Sequence, residues 1–257
     1  MAFEIFDTHS HYDDDKFDKD RATLLKALPE KGVDKIVSCG CDINSSKFNM
    51  LLSEKYDYFY FAAGFQPENL EGFSLGDLDE IEKIAQHEKC LAIGEIGLDY
   101  HWMSSSKEVQ KEFFEAQIEL AKKLDMPVIV HDREAHGDTL DILKSTKPKG
   151  VLHCFSGSRE MAKEIIKLGM YIGLNGVVTF KNARKSLEVV RDIPLDRLVL
   201  ETDCPYLAPE PHRGKRNDSS YIPFIADRIG EVLGMTGEEI LKITRENAYK
   251  LYNLNAE

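Results

Sequence analysis

Two histidines near the start of the chain, His9 and His11, stand one residue apart after a short, mostly apolar run. In an extended segment alternate side chains point to the same side, so both imidazoles can reach one point in space. Two imidazoles placed in this way can bind one metal ion. An isolated pair of this kind is more often two surface histidines just past a strand, so the pair alone does not predict a site.

The same arrangement recurs further along the chain. Four later apolar runs also end in a side chain that can bind a metal, namely Glu95, His131, His153 and Asp203. Four of the 8 histidines of the chain stand at such positions, which argues against chance.

Four imidazoles and two carboxylates exceed what one tetrahedral zinc ion needs, and they suit two divalent ions that share a carboxylate. A mixed nitrogen and oxygen set fits Zn or Mn, and fits Mg less well because imidazole is a softer ligand than Mg prefers. The predicted ligands are His9, His11 and Asp203 for the first ion, His131 and His153 for the second, and Glu95 as the bridge between them.

Two ions about 4 Å apart stabilise the attacking and the leaving oxygen of an in-line displacement at phosphorus. A water between them would lose a proton near neutral pH, and Asp203 is placed either to accept that proton or to act as a plain ligand. The pattern therefore predicts hydrolysis with Asp203 and Glu95 as catalytic residues.

The elements that must position these residues alternate along the chain between apolar, strand-like runs and segments of helical periodicity. Eight such strands favour an α/β fold, a (β/α)8 barrel of the TIM type, as a single domain over residues 1–257. An open, doubly wound sheet is the second choice. After the opening strand, the predicted strands are 33–39, 58–65, 90–96, 127–131, 150–153, 170–173 and 198–201.

In barrels of this type the chemistry lies at the carboxyl ends of the strands, because the loops there carry the variable side chains. The six candidate ligands end predicted strands one, four, five, six and eight. All of them are therefore expected on one rim.

The chain is acidic overall, with 33 Lys and Arg against 45 Asp and Glu and a formal charge of −12. This balance argues against general coating of duplex DNA, whose affinity for proteins comes from cationic side chains. The 5 cysteines form no C-x-x-C pair, and neither a leader nor a membrane-spanning run is evident. We expect a cytoplasmic protein with reduced thiols, no membrane contact and no obligate protein partner.

With these residues in place, the chain resembles the TatD family of metal-dependent deoxyribonucleases nearly from end to end. The resemblance implies a barrel of the amidohydrolase type, a divalent-metal site on the six residues, and hydrolysis of phosphodiesters in DNA. The segments that carry it are Asp7-Thr8-His9-Ser10-His11, Ile93-Gly94-Glu95-Ile96-Gly97-Leu98-Asp99-Tyr100, Pro127-Val128-Ile129-Val130-His131-Asp132-Arg133, Leu152-His153-Cys154-Phe155-Ser156-Gly157, Leu200-Glu201-Thr202-Asp203-Cys204-Pro205-Tyr206-Leu207 and Pro211-His212-Arg213-Gly214-Lys215-Arg216-Asn217.

The chain departs from the resembled family after strand three. Where members often carry a G-x-H-P-H pattern, this chain has Gly64-Phe65-Gln66-Pro67-Glu68. Gln66 can hydrogen-bond a phosphate oxygen but cannot carry a proton, and Glu68 adds negative charge. The departure bears on substrate range or rate and leaves the six ligands untouched.

Cationic side chains near the predicted rim are candidates for binding a phosphate backbone. The densest run, 212–216, follows strand eight, and its alternative is a solvated loop. Asp99 is a candidate to orient a ligand imidazole. Tyr100 and Trp102 either pack under a loop, the commoner case, or stack on an unpaired base. The predicted substrate contacts are Arg213, Lys215, Arg216, Lys181, Arg133 and Gln66.

Three functions compete at this point. The first is a deoxyribonuclease acting on ends or single strands of DNA, since the chain has no sequence-reading motif such as a helix-turn-helix. The second is a hydrolase of small amides, lactones or phosphotriesters, although many such barrels bridge their metals with a carbamylated lysine where this chain has Glu95. The third is a metal-binding scaffold without catalysis.

Overall fold

The computed structural model describes residues 4–255 and, within them, eight strands and nine helices in alternation. The two ends of the predicted domain lie outside the described residues. They are residues 1–3, which include Phe3, and residues 256–257. The strands are β1 Ile5–Ser10, β2 Val33–Cys39, β3 Phe59–Ala63, β4 Cys90–Asp99, β5 Val128–Arg133, β6 Gly150–Leu152, β7 Tyr171–Leu174 and β8 Leu198–Leu200.

All neighbouring strands pair in parallel and in chain order, from β1 to β8. The two outer strands meet through backbone hydrogen bonds just beyond their ends, from Asp203 N–H to the His9 carbonyl at 3.0 Å and from His11 N–H to the Cys204 carbonyl at 2.8 Å. The predicted (β/α)8 barrel is thereby confirmed, and the open sheet is not what this chain forms.

The nine helices found among residues 4–255 surround the barrel or close one of its ends. Several begin with the expected caps: Ser106 accepts from the N–H of Val109 at the start of the longest helix, and Thr236 forms a capping box with Glu239. The helices are α1 Arg21–Ala27, α2 Ile43–Lys55, α3 Leu78–Ala85, α4 Lys107–Lys123, α5 His136–Thr146, α6 Arg159–Lys167, α7 Arg184–Asp192, α8 Ile222–Leu233 and α9 Gly237–Leu251.

The apolar residues form two layers. The larger cluster lies between the strands and the surrounding helices, with fully buried side chains such as Phe59 and Phe114. The smaller cluster joins inward-facing strand residues, among them Ile129 and Val151, to the aromatic end of α9. Because side chains alternate along a strand, the residues two places further on, His131 and His153, continue this inward face toward the rim.

The fourth strand is longer than predicted, and its extension moves Glu95 from the end of the strand to its middle. Glycines at 94 and 97 resemble a strand end in the sequence, but the pairing continues to Asp99, opposite Arg133 of β5. Gly97 has φ of 143°, and a side chain there would overlap the backbone carbonyl of His131. The glycine therefore permits a close approach of β4 to β5 and does not mark a turn.

Other predicted boundaries shift by one to a few residues. His9 and His131 lie inside their strands, and His153 follows β6 directly. None of the described helices combines the length and the apolar character that crossing a bilayer requires. The five cysteines are free thiols, with Cys39, Cys90 and Cys204 buried.

Candidate metal centre

Four side-chain atoms from three parts of the chain meet at the seam between β1 and β8. His9 and His11 project from β1 with their Nε2 atoms 3.0 Å apart. Each of these nitrogens lies 3.3–3.5 Å from the Oε2 atom of Glu95 and from the Oδ1 atom of Asp203. The period of two in an extended strand accounts for the histidine pair, as the sequence predicts.

These separations match the spacing of metal ligands. Four ligands at the bond lengths of a tetrahedral zinc site, ~2.0–2.1 Å, lie about 3.3 Å from one another. The five measured edges among these four atoms, 3.0–3.5 Å, bracket that value. The residues present thus fit a divalent ion at this position without rearrangement.

A second group lies next to the first and uses the other oxygen of Glu95. The Oε1 atom is 2.7 Å from His131 Nδ1 and 2.9 Å from His153 Nε2, and these two nitrogens are 3.4 Å apart. The rings of His9 and His153 stack across the boundary with centroids 3.8 Å apart. Glu95 therefore stands between the two groups with one oxygen toward each, as the predicted bridging role requires.

The ionisation states in this cluster suit metal ligands. Burial alone would raise the pKa of Glu95, but the neighbouring imidazoles, His153 and His9 foremost, hold it well below its usual range. Burial would also raise the pKa of Asp203, but the hydrogen bonds and the charge of His11 and His9 outweigh burial and lower it. Both carboxylates therefore remain ionised at neutral pH.

Burial opposes protonation of His131, yet the carboxylates of Asp99 and Glu95 outweigh it and raise the pKa of His131 to about 10. Asp99 lies 3.0 Å from His131 Nε2, on the opposite side of the ring from Glu95. This is the contact expected of a residue that orients a ligand imidazole.

Sequence reasoning missed three residues that touch the ligands from behind. The Cys39 thiol lies 3.3 Å from His9 Nδ1, and the Cys41 thiol groups with His11 and Glu95. Glu201, fully buried, lies behind His153. For Cys39 and Cys41 the signal was present in the C-G-C motif at the end of β2, whereas Glu201 reads from the sequence as the last residue of a strand.

The segment that departs from the family pattern borders this centre. Gln66 is buried, donates from Nε2 to Glu68 Oε1 at 3.2 Å, and accepts from the Glu68 N–H at 3.1 Å. Glu68 in turn groups with Asp99 and His131 within metal-binding distance of one another. The substitution thus places an added carboxylate beside the second group of ligands.

The predicted cationic substrate contacts differ in their exposure and in the side chains that they already contact. Arg213 is exposed and lies over the Phe180 ring at 4.3 Å, and Lys215 and Lys181 are exposed. Arg216 instead makes a two-pronged contact with Asp20, both oxygens being 2.7 Å from its guanidinium nitrogens. A phosphate would have to compete with Asp20 for this arginine.

The two aromatic residues after β4 have different surroundings. The Tyr100 hydroxyl donates to Asp138 at 2.6 Å, which fixes the ring at the side of the rim. Trp102 is 58% exposed, with the Arg133 guanidinium 5.4 Å from its ring centre. Packing under a loop, the commoner case for such residues, does not describe Trp102.

Comparison with known proteins places this geometry in a family. The family model described as TatD related DNase matches residues 6–253. The chain belongs to this family. As a TatD-family member it is a metal-dependent hydrolase, the class to which the named relatives are assigned.

Relatives of the TatD-family chain match it over its full length. The metal-dependent hydrolase YabD of Bacillus subtilis is 44% identical over 254 residues, 98% of this chain and 100% of that protein. The protein named 3'-5' ssDNA/RNA exonuclease TatD from Erwinia tasmaniensis is 33% identical over 97% of this chain and 100% of its own. The crystal structure of YjjV, a TatD homolog from Escherichia coli, superposes with a TM-score of 0.90 at 30% identity, covering 99% of this chain and 100% of that one.

Proposed function

We propose that this TatD-family chain cleaves phosphodiester bonds of DNA, at ends or in single strands, with two divalent ions of Zn, Mn or Mg. The observation that carries the proposal is the pair of ligand groups joined by the two oxygens of Glu95. His9, His11 and Asp203 would hold the first ion, and His131 and His153 would hold the second. The relative named as an exonuclease for single-stranded DNA and RNA supports this substrate class.

Bound divalent ions would lower the pKa of a hydrolytic water and neutralise charge on the phosphate. The side chains of the chain divide the remaining work. The Glu95 side chain is 3% exposed, so it is suited to hold the two positions together. Asp203 is 17% exposed, and it is the carboxylate that solvent reaches. We therefore assign proton acceptance to Asp203, 3.4–3.5 Å from the two β1 imidazoles.

Substrate binding is assigned to the basic side of the same rim. Arg213 and Lys215 are exposed and supply positive charge that an otherwise acidic chain lacks. Arg133 beside Trp102 offers a second contact, with Lys181, Gln66 and Arg216 as further predicted contacts. We propose that the whole chain, 1–257, works as one domain in the cytoplasm without an obligate protein partner.

The test compares substrates from the competing classes on one preparation. Full-length protein is stripped with a chelator, reloaded with Mn, Zn or Mg, and incubated with an end-labelled single-stranded oligonucleotide or with a panel of lactones and phosphotriesters. We expect stepwise shortening of the oligonucleotide, loss of cleavage in chelator, and no turnover of the panel.

Two variants test whether cleavage depends on the Glu95 carboxylate. Glu95→Ala should abolish cleavage, whereas Glu119→Ala, which removes an exposed carboxylate on α4, should leave it unchanged. Cleavage that survives Glu95→Ala would contradict the proposal. Turnover of the small-molecule panel alone would favour the second hypothesis, and inertness with tight metal binding would favour the scaffold.

A further inference from the structure

A buried carboxylate that the proposed reaction does not use lies beneath the second ligand group. Glu201 follows β8 and is fully buried. Its Oε1 atom accepts a hydrogen bond from the Cys154 backbone N–H at 2.5 Å and lies 3.6 Å from His153 Nδ1. A buried carboxylate is costly to maintain, so its location calls for a partner.

Two atoms at this contact have no hydrogen-bond partner within the described residues: His153 Nδ1 and Glu201 Oε2. The 3.6 Å separation between His153 Nδ1 and Glu201 Oε1 is longer than a hydrogen bond. A shift of a few tenths of an ångström in the carboxylate would satisfy the imidazole. Contacts of this kind are often long in free enzymes and tighten when the site is filled.

Strand β7 provides the space for this carboxylate. A side chain at Gly173 would overlap Glu201 Oε2, so only a glycine fits beside it. The glycine does not have a left-handed backbone here, and its role is to leave room. Three neighbouring strands thus meet around one buried acid behind one histidine.

His131, the other proposed ligand of the second position, also has a carboxylate behind it. His131 points Nδ1 toward Glu95 and Nε2 toward Asp99, with 3.0 Å between Nε2 and Asp99 Oδ2. Asp99 is itself held by the backbone N–H groups of His101 and Trp102, each at 2.8 Å. Both imidazoles of the second position therefore face a buried carboxylate on the side away from Glu95.

The first position is built differently. The outer nitrogen of His9 faces the Cys39 thiol at 3.3 Å, and that of His11 faces the Cys39 backbone carbonyl at 3.1 Å. A thiol and a backbone carbonyl are neutral groups. Among the six predicted ligands, the first position has a carboxylate of its own, Asp203, whereas the second has only the carboxylate of Glu95 that both positions share.

We propose that Glu201 and Asp99 are positioning residues that create the second metal position, by fixing the orientation and the tautomer of His153 and His131. The inference rests on the proposed function, because it assigns a role toward the second ion. A carboxylate behind a ligand histidine fixes its tautomer and orientation and raises its basicity. The two positions therefore obtain negative charge in different ways, the first from a ligand and the second from carboxylates behind its ligands.

The consequence is that the two ions can be separated by mutation. Removal of a carboxylate behind a ligand typically weakens metal affinity ~10–100-fold. Glu201→Gln and Asp99→Asn should each weaken the second ion by that factor and leave the first unchanged. Asp132→Asn is the matched control, because Asp132 follows His131 directly but pairs with His136 and not with a ligand.

The experiment titrates chelator-stripped, full-length protein with Mn²⁺ by calorimetry and records electron paramagnetic resonance spectra at one and two equivalents. We expect two ions and a spin-coupled signal for the wild type and for Asp132→Asn. For Glu201→Gln and Asp99→Asn we expect one ion of wild-type affinity and the spectrum of an isolated Mn²⁺. Thermal melts of the stripped proteins identify any variant that fails to fold, and the other variant then carries the test.

Two ions of wild-type affinity in both carboxylate variants would overturn this inference while leaving the proposed function intact. Equal weakening of both ions would also overturn it, since it would indicate a general structural role. A wild-type protein that binds fewer than two ions would contradict the proposed function itself. The wild-type and variant titrations therefore distinguish the two failures.

Discussion

The backbone N–H of Asp203 donates a hydrogen bond to the backbone carbonyl of His9, with 3.0 Å between nitrogen and oxygen. The side chains of the same two residues lie 3.5 Å apart at the first metal position. Nearby, the buried Asp7 carboxylate accepts from Thr202 and Ser219, which ties the two outer strands together again. Closure of the barrel and assembly of the proposed first metal position therefore depend on the same stretches of chain.

Asp203→Asn should separate these two roles. The backbone bond to His9 does not depend on the side chain, so the metal-free variant should still fold and should lose only the stability that the side-chain contacts of Asp203 with His9 and His11 contribute. Loss of the ionised ligand should lower the hydrolysis rate on the order of 10²–10³-fold, comparable to the loss of one group that stabilises the transition state. Melting curves in chelator and rates on a single-stranded oligonucleotide check both parts, and a wild-type rate would contradict the assignment.

The stability of the metal-free protein should fall as pH rises from 6.5 toward 10. The folded pKa of His131 is about 10 and its ordinary value is 6.5, so folding favours the protonated ring. A group with a raised folded pKa contributes fully below the unfolded pKa and loses its contribution as pH passes the folded pKa. Denaturant unfolding in chelator at several pH values measures this slope.

Asp99→Asn serves as the control for that measurement, because it removes one of the two carboxylates that raise the pKa of His131. Its slope should be shallower than that of the wild type. With saturating Mn²⁺ the wild-type trend should reverse, since metal binding requires the unprotonated ring. An unchanged slope in Asp99→Asn would show that another group is responsible.

Gly173→Ala should disturb the second position without removing a proposed ligand, since its added methyl group would meet Glu201 and the backbone of His153. The added methyl group would overlap Glu201 Oε2, and overpacking of this kind costs about 1–3 kcal/mol of unfolding free energy. Gly137→Ala in α5 is the matched control, because nothing lies within 4 Å of its added methyl group. The control should be neutral or more stable by up to about 1 kcal/mol, as for alanine in a helix. Equal denaturation midpoints for the two variants would contradict this account.

The loop after β8 should account for part of the salt dependence of binding. Arg213→Ala and Lys215→Ala should each raise KM for an oligonucleotide several-fold and reduce the slope of log affinity against log salt by about 0.7, the value for one phosphate contact on a single strand. Lys149→Ala is the control, since this exposed lysine precedes β6 at the opposite end of the barrel. Identical slopes for all three variants would place the nucleic acid elsewhere.

Much of the fold was predictable because strand and helix periods alternate and the strands are apolar. The period of two also predicted that His9 and His11 share a side, and strand order predicted that Glu95, His131 and His153 meet near them. Gly97 misled the prediction of β4, since the same residue type permits a turn or a close approach of two backbones.

Contacts between side chains that are distant in the sequence could not be predicted. The pairing of Arg216 with Asp20 joins the loop after β8 to the segment before α1, and nothing local in either segment specifies it. Glu201 ends an apolar strand, and its sequence context does not reveal that it faces the outer nitrogen of His153. Exposure of Trp102 likewise depends on the packing of neighbouring loops.

The seam between β1 and β8 also has a consequence during translation. His9 and His11 are synthesised with the first of the described strands, whereas Asp203 emerges only after the eighth. A nascent chain therefore carries one half of the proposed first metal position long before the other half exists. Under the proposed function, unfinished or prematurely terminated products should be unable to attack nucleic acids, so synthesis of the last strand should act as a safeguard on that activity.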